Sequence, residues 1–302
     1  MDIHILCEKF CDYSISMRGY SKATIRRYRF VIKSFCKFTN ITELNEVSEE
    51  KLRQLFFYGR TERKWSINTY LVYRNTLMPF FSWCVKQGYM ATNPAAEIEV
   101  PKLEKRLPTK LTKQDTFRLL EIVQNYPYDY RFLRFRNHAV FSMFVFAGLR
   151  KQELLKLKCV DVDIENLTIF VRQGKGNKDR IIPISFTLAQ ILKKYVQERK
   201  RLNRTCPEFF VSLNRNFGYS EAGLKHLVRQ MNEASEIKFN VHKLRHTFAT
   251  LMLEGGCDIY SLSKMMGHSD IKTTTIYLSA SAEHLRTQMV KHPLNNVPLK
   301  IY

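Results

Sequence analysis

Much of what this 302-residue sequence excludes follows from what it lacks. Its longest apolar stretch, around Ala139 to Leu149, is shorter than the roughly 20 residues a membrane span needs and is interrupted by Ser142 and Gly148. The N-terminus carries acidic Asp2 and Glu8, with no cationic start, apolar block or small-residue cleavage site, so no secretory signal is read and a cytoplasmic location is expected. The seven cysteines, Cys7, Cys11, Cys36, Cys84, Cys159, Cys206 and Cys257, contain no CxxC pair; scattered among apolar neighbours, they read as reduced, mostly buried thiols. There is no internal repeat, low-complexity tract, Walker loop or paired-carboxylate metal site, so no metal and no other cofactor is expected.

Acidic charge is also scarce: 28 Asp and Glu face 49 Lys and Arg, a net charge of +21. The 45% hydrophobic and 25% charged content is that of an ordinary globular chain, which places the excess charge on a folded surface. Such a field suits a polyanion, nucleic acid before an anionic membrane.

The charge divides as net +7 before Leu107 and net +14 after it. Asn93-Pro94 and the stretch from Pro101 to Pro108 discourage helix, so 101–108 reads as a linker between a domain at 1–100 and another at 109–302. In the first domain, apolar spacing and the caps Ser21, Ser48 and Ser66 predict four helices. Lys22, Arg26, Arg27, Arg29 and Lys33 fall around the outer face of the second, a candidate DNA contact. In the second domain, Thr112 caps a mostly helical run to Phe146. Leu167–Arg172 and Arg180–Ser185 then flank a glycine-containing turn with a basic tip, a predicted hairpin carrying Lys175 and Lys178. Helical patterns resume at 187–201, 220–234, 243–254 and 259–266. The expected fold is mainly α with a small β-hairpin: a four-helix domain followed by a mixed α+β domain.

Four segments can carry chemistry. Ala147-Gly-Leu-Arg150-Lys-Gln-Glu153 sets a guanidinium three residues from a carboxylate, a pair that taken singly is most often a surface salt bridge. Gly174-Lys175-Gly176 puts an ammonium at the hairpin tip. His242-Lys-Leu-Arg245-His246 sets an imidazole and a guanidinium one helical turn apart, where both reach one anion. Gly267-His268 is followed by Tyr277 after three threonines. Together these residues supply cationic donors and a hydroxyl nucleophile, without a matching cluster of carboxylates.

The order AGLRKQEL, GKGNKDR, HKLRHTFAT, GH and TTTIY resembles the tyrosine recombinases, or phage integrases, across the whole second half. Ser21-Lys-Ala-Thr-Ile-Arg-Arg-Tyr28 and the stretch from Asn68 to Pro94 are similar to that family's core-binding domain. The resemblance implies that Arg150, Lys175, His242, Arg245 and His268 activate a DNA phosphodiester and that Tyr277 attacks it. The arginines would neutralise nonbridging oxygens and His268 would steady the phosphate. Lys175 would protonate the leaving 5′ oxygen and His242 would take the phenolic proton. Lys178 and Arg180 at the hairpin are further expected DNA contacts.

The implied outcome is a 3′-phosphotyrosyl intermediate and strand exchange through a Holliday junction, with a double-stranded recombination site as partner. Four subunits would form the synaptic complex, with a monomer in free solution compatible. The segment 281–302, with Leu285, Met289 and Leu294, would dock on a neighbouring subunit. The core-binding domain begins almost at Met1, which favours a compact Xer-like or small mobile-element type without an arm-binding domain. Two rival readings stand beside this one: a noncatalytic DNA-binding architectural or regulatory protein on the same scaffold, and a type IB topoisomerase-like relaxing enzyme that shares the phosphotyrosine chemistry. Integration, excision, inversion, transposition and dimer resolution are not distinguished.

Overall fold

The computed structural model describes residues 1–102, 108–172, 179–268 and 270–278. The chain divides into two compact units, Met1–Lys105 and Arg106–Tyr302.

The first unit is built from α1 (Ile3–Arg18), α2 (Lys22–Thr39), α3 (Glu49–Thr61) and α4 (Ile67–Lys86). Each starts where a side-chain oxygen takes an otherwise unpaired amide of the first turn: Asp2 accepts from His4 and Ile5, Ser21 from Thr24, Ser48 from Lys51 and Ser66 from Thr69. The apolar faces meet around Phe10, whose ring makes edge contacts with Tyr28 at 4.9 Å and with Phe80 and Trp83 at 5.6 Å. All seven cysteines are free thiols; Cys7, Cys11, Cys36 and Cys84 are buried in this unit, and the other three are half-buried.

The second unit continues with α5 (Lys113–Asn125), α6 (Arg131–Phe146), α7 (Lys151–Lys156), β1 (Val162–Asp163), β2 (Thr168–Val171) and β3 (Arg180–Pro183). It then forms α8 (Phe186–Arg201), α9 (Glu221–Ser235), α10 (Val241–Glu254), α11 (Ile259–Met266) and α12 (Lys272–Thr275). The run predicted as far as Phe146 is two helices. Pro127 forces Tyr126 into an extended conformation, with ψ 140°, and this ends α5. α6 is buried continuously from Ala139 to Val145, and α5, α8 and α10 pack around it. The predicted hairpin is present as β2 and β3, antiparallel with Ile169 opposite Ile182. β1, which the sequence pattern did not single out, pairs with the other side of β2 to make a three-stranded sheet.

A separate small apolar cluster of Phe248, Ala249, Leu253, Leu262, Met266 and Tyr277 joins α10 and α11 to the segment after α12. It brings residues remote in sequence to one end of α10. Among the described residues no helix is long and apolar enough to cross a membrane.

Phe80 is fully buried against Phe10 and Phe81. Phe80→Ala is expected to destabilise the first unit by about 3–5 kcal/mol, seen as a lower urea midpoint at unchanged slope.

Candidate active site

Much of the site is assembled at helix ends. α6 stops at Ala147, and Gly148 takes a left-handed φ of 58° that turns the chain toward α7. A Cβ at Gly148 would collide with the Phe248 ring, so a side chain is excluded by space as well as by conformation. The carbonyl of Gly148 accepts a hydrogen bond from Arg245 Nη1 on α10, and Arg245 Nη2 donates to the carbonyl of Met266 at the end of α11. Arg245 thereby stitches three elements together at 5% exposure. Burial, and then the charge of Arg150, pull its pKa down to about 9, which leaves it a cation at neutral pH.

Arg150 caps the start of α7 and is paired as its sequence spacing predicts, but the pair is not on the surface. Glu153 accepts from the Arg150 amide and from its Nη1, both at 2.7 Å, while Arg150 Nη2 donates to the Gly267 carbonyl at 2.8 Å. The other side of Glu153 is taken by Arg180 of β3, whose two Nη atoms donate to its two oxygens at 2.8 Å. Arg180 Nε donates to the Met265 carbonyl. The Glu153 side chain is 6% exposed. Burial alone would raise its pKa; the hydrogen bonds and charge of Arg180, with the bonds from Arg150, outweigh it and hold the carboxyl at about 2.

Gly267 closes α11 in a left-handed conformation, φ 63°, and its missing Cβ leaves the space filled by the Arg180 guanidinium. His268 follows; its Nε2 lies 3.4 Å from Arg245 Nη2 and its Nδ1 is 2.7 Å from Thr274 Oγ1. Three residues on, Tyr277 is 2% exposed, with its Oη 2.8 Å from His246 Nδ1. Burial raises the pKa of this phenol, opposed by the charges of Arg245 and Arg150, so the hydroxyl is protonated at neutral pH.

The residues singled out from sequence fare differently. Arg150, Arg245 and His268 meet around the backbone of residues 266–268, and Tyr277 is tied to α10 through His246. His242 lies exposed one turn before it on α10. Lys175 and Lys178 fall outside the described residues. Arg180 is a correction to the expected DNA contacts: its side chain is 8% exposed and each of its three nitrogens donates to Glu153 or Met265, so it ties the sheet to α7 and α11. On α2, Lys22, Arg26, Arg29 and Lys33 are exposed at steps of four, three and four, one continuous stripe; Arg27 lies off it, against the Tyr28 ring. Arg29 is held by Glu8 at 2.6–3.1 Å, which offsets its charge. His246 and Thr274 had no distinguishing signal in the sequence, since one histidine beside an arginine and one threonine among three are unremarkable by spacing.

Comparison with known proteins settles the class. Residues 109–284 match the phage integrase family, and residues 6–90 match its N-terminal SAM-like domain. The chain belongs to the phage integrase family. This integrase-family chain is 30% identical to tyrosine recombinase XerA of Pyrococcus horikoshii, over 96% of its own length and 94% of that protein's. It is 31% identical to tyrosine recombinase XerD of Listeria monocytogenes, over 93% and 96%. Among solved structures it is similar to XerA recombinase, at 26% identity and a TM-score of 0.54, covering 95% and 98% of the two chains. The fold is also that of XerH bound to a palindromic difH substrate, with a TM-score of 0.73 at 24% identity over 94% and 83%. The chain is a site-specific recombinase of the tyrosine class.

Glu153→Gln leaves two guanidiniums beside an uncharged amide, and a loss of about 3–5 kcal/mol in unfolding free energy at pH 7 is expected. Because the folded carboxyl ionises near 2, below its ordinary 4.5, its contribution is complete above about pH 4.5 and fades as pH falls toward 2. Urea titrations at successive pH values should therefore show the gap between native chain and variant closing across that window.

Proposed function

We propose that this recombinase cleaves one strand of a duplex recombination site by attack of Tyr277 on phosphorus, forming a 3′-phosphotyrosyl bond and freeing a 5′ hydroxyl. The observation that carries this reading is the convergence of Arg150, Arg245 and His268 on the backbone of residues 266–268, with the Tyr277 hydroxyl bonded to His246, the neighbour of Arg245 on α10. Attack on a phosphodiester gathers negative charge on the two nonbridging oxygens. Guanidiniums already fixed by backbone carbonyls stabilise that charge without having to reorganise as it develops. Both arginines also retain donors beyond the bonds described, since a guanidinium carries five.

His268, anchored through Thr274, has its other ring nitrogen 3.4 Å from Arg245 Nη2 and would bind the phosphate beside it. Lys175 is assigned the proton delivered to the departing 5′ oxygen, and exposed His242 a phosphate contact or a share in proton movement. The phosphotyrosyl bond stores the energy of the broken phosphodiester, so a 5′ hydroxyl from a second duplex can reseal it. Two rounds give strand exchange through a Holliday junction. Four subunits on two sites would carry this out in the cytoplasm, where the DNA lies.

The first unit, taken as a core-binding domain over 1–100 and joined through 101–108 to the catalytic domain at 109–302, would add sequence-independent grip through the Lys22, Arg26 and Lys33 stripe, with Arg27 and Arg29 beside it. Binding of this kind weakens steeply with salt. The segment 281–302 lies outside the described residues and is assigned docking on a neighbouring subunit.

The test begins by selecting bound sites from a random duplex library and nicking one so that the cleaved end diffuses away. The native chain should form a covalent adduct that survives denaturation, and Tyr277→Phe none; an adduct persisting in that variant places the nucleophile elsewhere. Arg150→Ala is expected to slow adduct formation by about 10²–10³-fold with DNA binding retained in a gel shift. Truncation before Ser281 should leave single-site binding intact and abolish cooperative synapsis; recombination by the truncated chain would remove the tail from the mechanism.

A further inference from the structure

We propose that Thr274 is a positioning residue for the reaction: its hydroxyl holds the His268 ring both with the site empty and with a phosphate bound, by changing from acceptor to donor. The proposal rests on the reading of His268 as a phosphate contact.

Of the three consecutive threonines, Thr273 and Thr275 are exposed and Thr274 is fully buried. Thr275 returns its hydroxyl to the Lys272 carbonyl at 2.9 Å, the ordinary habit of a threonine in a helical turn. Thr274 turns its hydroxyl to His268 Nδ1, at 2.7 Å. Its carbonyl accepts from the Tyr277 amide at 3.0 Å, and the two side chains, three residues apart, share the buried face of the segment. Thr274 therefore joins the histidine to the stretch that carries the phenol.

His268 is held through its backbone and through both ring nitrogens. Its amide donates to the Ser263 carbonyl at 3.1 Å, Nδ1 meets Thr274, and Nε2 lies 3.4 Å from Arg245 Nη2. In a neutral imidazole one nitrogen donates and the other accepts, whereas a guanidinium only donates. With the site empty, a hydrogen on Nε2 would face those of Arg245, so the ring hydrogen belongs on Nδ1 and Thr274 accepts it.

A phosphodiester reverses these demands, because its oxygens only accept. Arg245 then turns a hydrogen to one of them, and His268 reaches another by donating from Nε2. The ring hydrogen moves from Nδ1 to Nε2 through solvent, which the half-exposed ring meets, and the Thr274 hydroxyl rotates to donate to Nδ1. No charge is created or lost in the change. A hydroxyl is both donor and acceptor and so serves both forms of the ring; a carbonyl or carboxylate in its place would hold the hydrogen on Nδ1 and leave Nε2 none for the phosphate.

The experiment measures single-turnover adduct formation on the selected, nicked duplex, with binding checked by gel shift. Thr274→Val, which keeps the shape and removes the hydroxyl, should slow it by about 10–100-fold, the scale seen when the group that orients a functional histidine is lost. Thr274→Ser should recover most of that loss. His268→Ala should also be slow, and adding Thr274→Val to it should cost less than about a further twofold, since the hydroxyl then has no ring to hold. Thr274→Val within about threefold of native overturns the proposal, as does a Thr274→Val effect that is undiminished beside His268→Ala, which would place the role of Thr274 in packing or in the Tyr277 segment. His268→Ala that cleaves at the native rate would refute the reading of His268 itself, and the proposal with it.

The ring hydrogen is followed separately by two-bond nitrogen–hydrogen correlation spectra of histidine-labelled Tyr277→Phe, in which the His268 signals are those lost with His268→Ala. Nδ1 should carry the hydrogen in the free protein, and Nε2 after addition of the intact selected duplex. A ring that keeps one form throughout, or that carries hydrogens on both nitrogens when DNA is bound, overturns the change of role assigned to Thr274.

Discussion

The second unit turns on one electrostatic constraint: several cations are held close together in a site that largely excludes water. Arg150, Arg180 and Arg245 repel one another, and burial raises the cost of each charge. Glu153 is the counterweight. Two of the three guanidiniums share its oxygens, and the third is held by the carbonyls of Gly148 and Met266. The carboxylate is therefore a structural element as much as a charge. It joins β3 to the start of α7, while the same arginines reach across to the end of α11.

Glycine makes this possible at two positions. At Gly148 and Gly267 the backbone adopts a left-handed turn and aims a carbonyl at an arginine, and in each case a Cβ would occupy space taken by a neighbouring side chain. The cationic site is thus built largely by main-chain dipoles fixed by sharp helix ends. Such dipoles need no rearrangement when a phosphate arrives, which is the property a transition-state binding site requires. The phenol is handled differently: its ring belongs to the small apolar cluster, while only its hydroxyl reaches a polar partner.

Much of the fold was legible in the sequence because it is written in local interactions. Ser21, Ser48, Ser66 and Thr112 each cap the helix that their position predicts, and the hairpin strands lie on either side of their turn. The break at Tyr126–Pro127 obeys a local rule too, though the continuous apolar pattern on both sides obscured it. β1 left little trace, since a two-residue strand has no periodicity of its own. The motifs that mark the family were also legible, because their residue types and order are specific to it.

By itself, the sequence determined the family, the two-part organisation of its pattern, the excess of positive charge and which residues are candidates to activate a phosphate. Tertiary structure decided what each of them touches. Arg180 and Arg29 look alike as exposed basic residues in the sequence, yet Arg180 is buried on Glu153 while Arg29 remains at the surface beside Glu8. His242 and His246 are equally plausible partners for a phenol 31 or more residues away, yet His246 makes the bond. The reason is physical: capping and periodicity act within a few residues, whereas the pairings made by Arg150, Arg180 and His246 across the second unit span 27 to 117 residues and depend on where α7, α10, α11 and β3 pack.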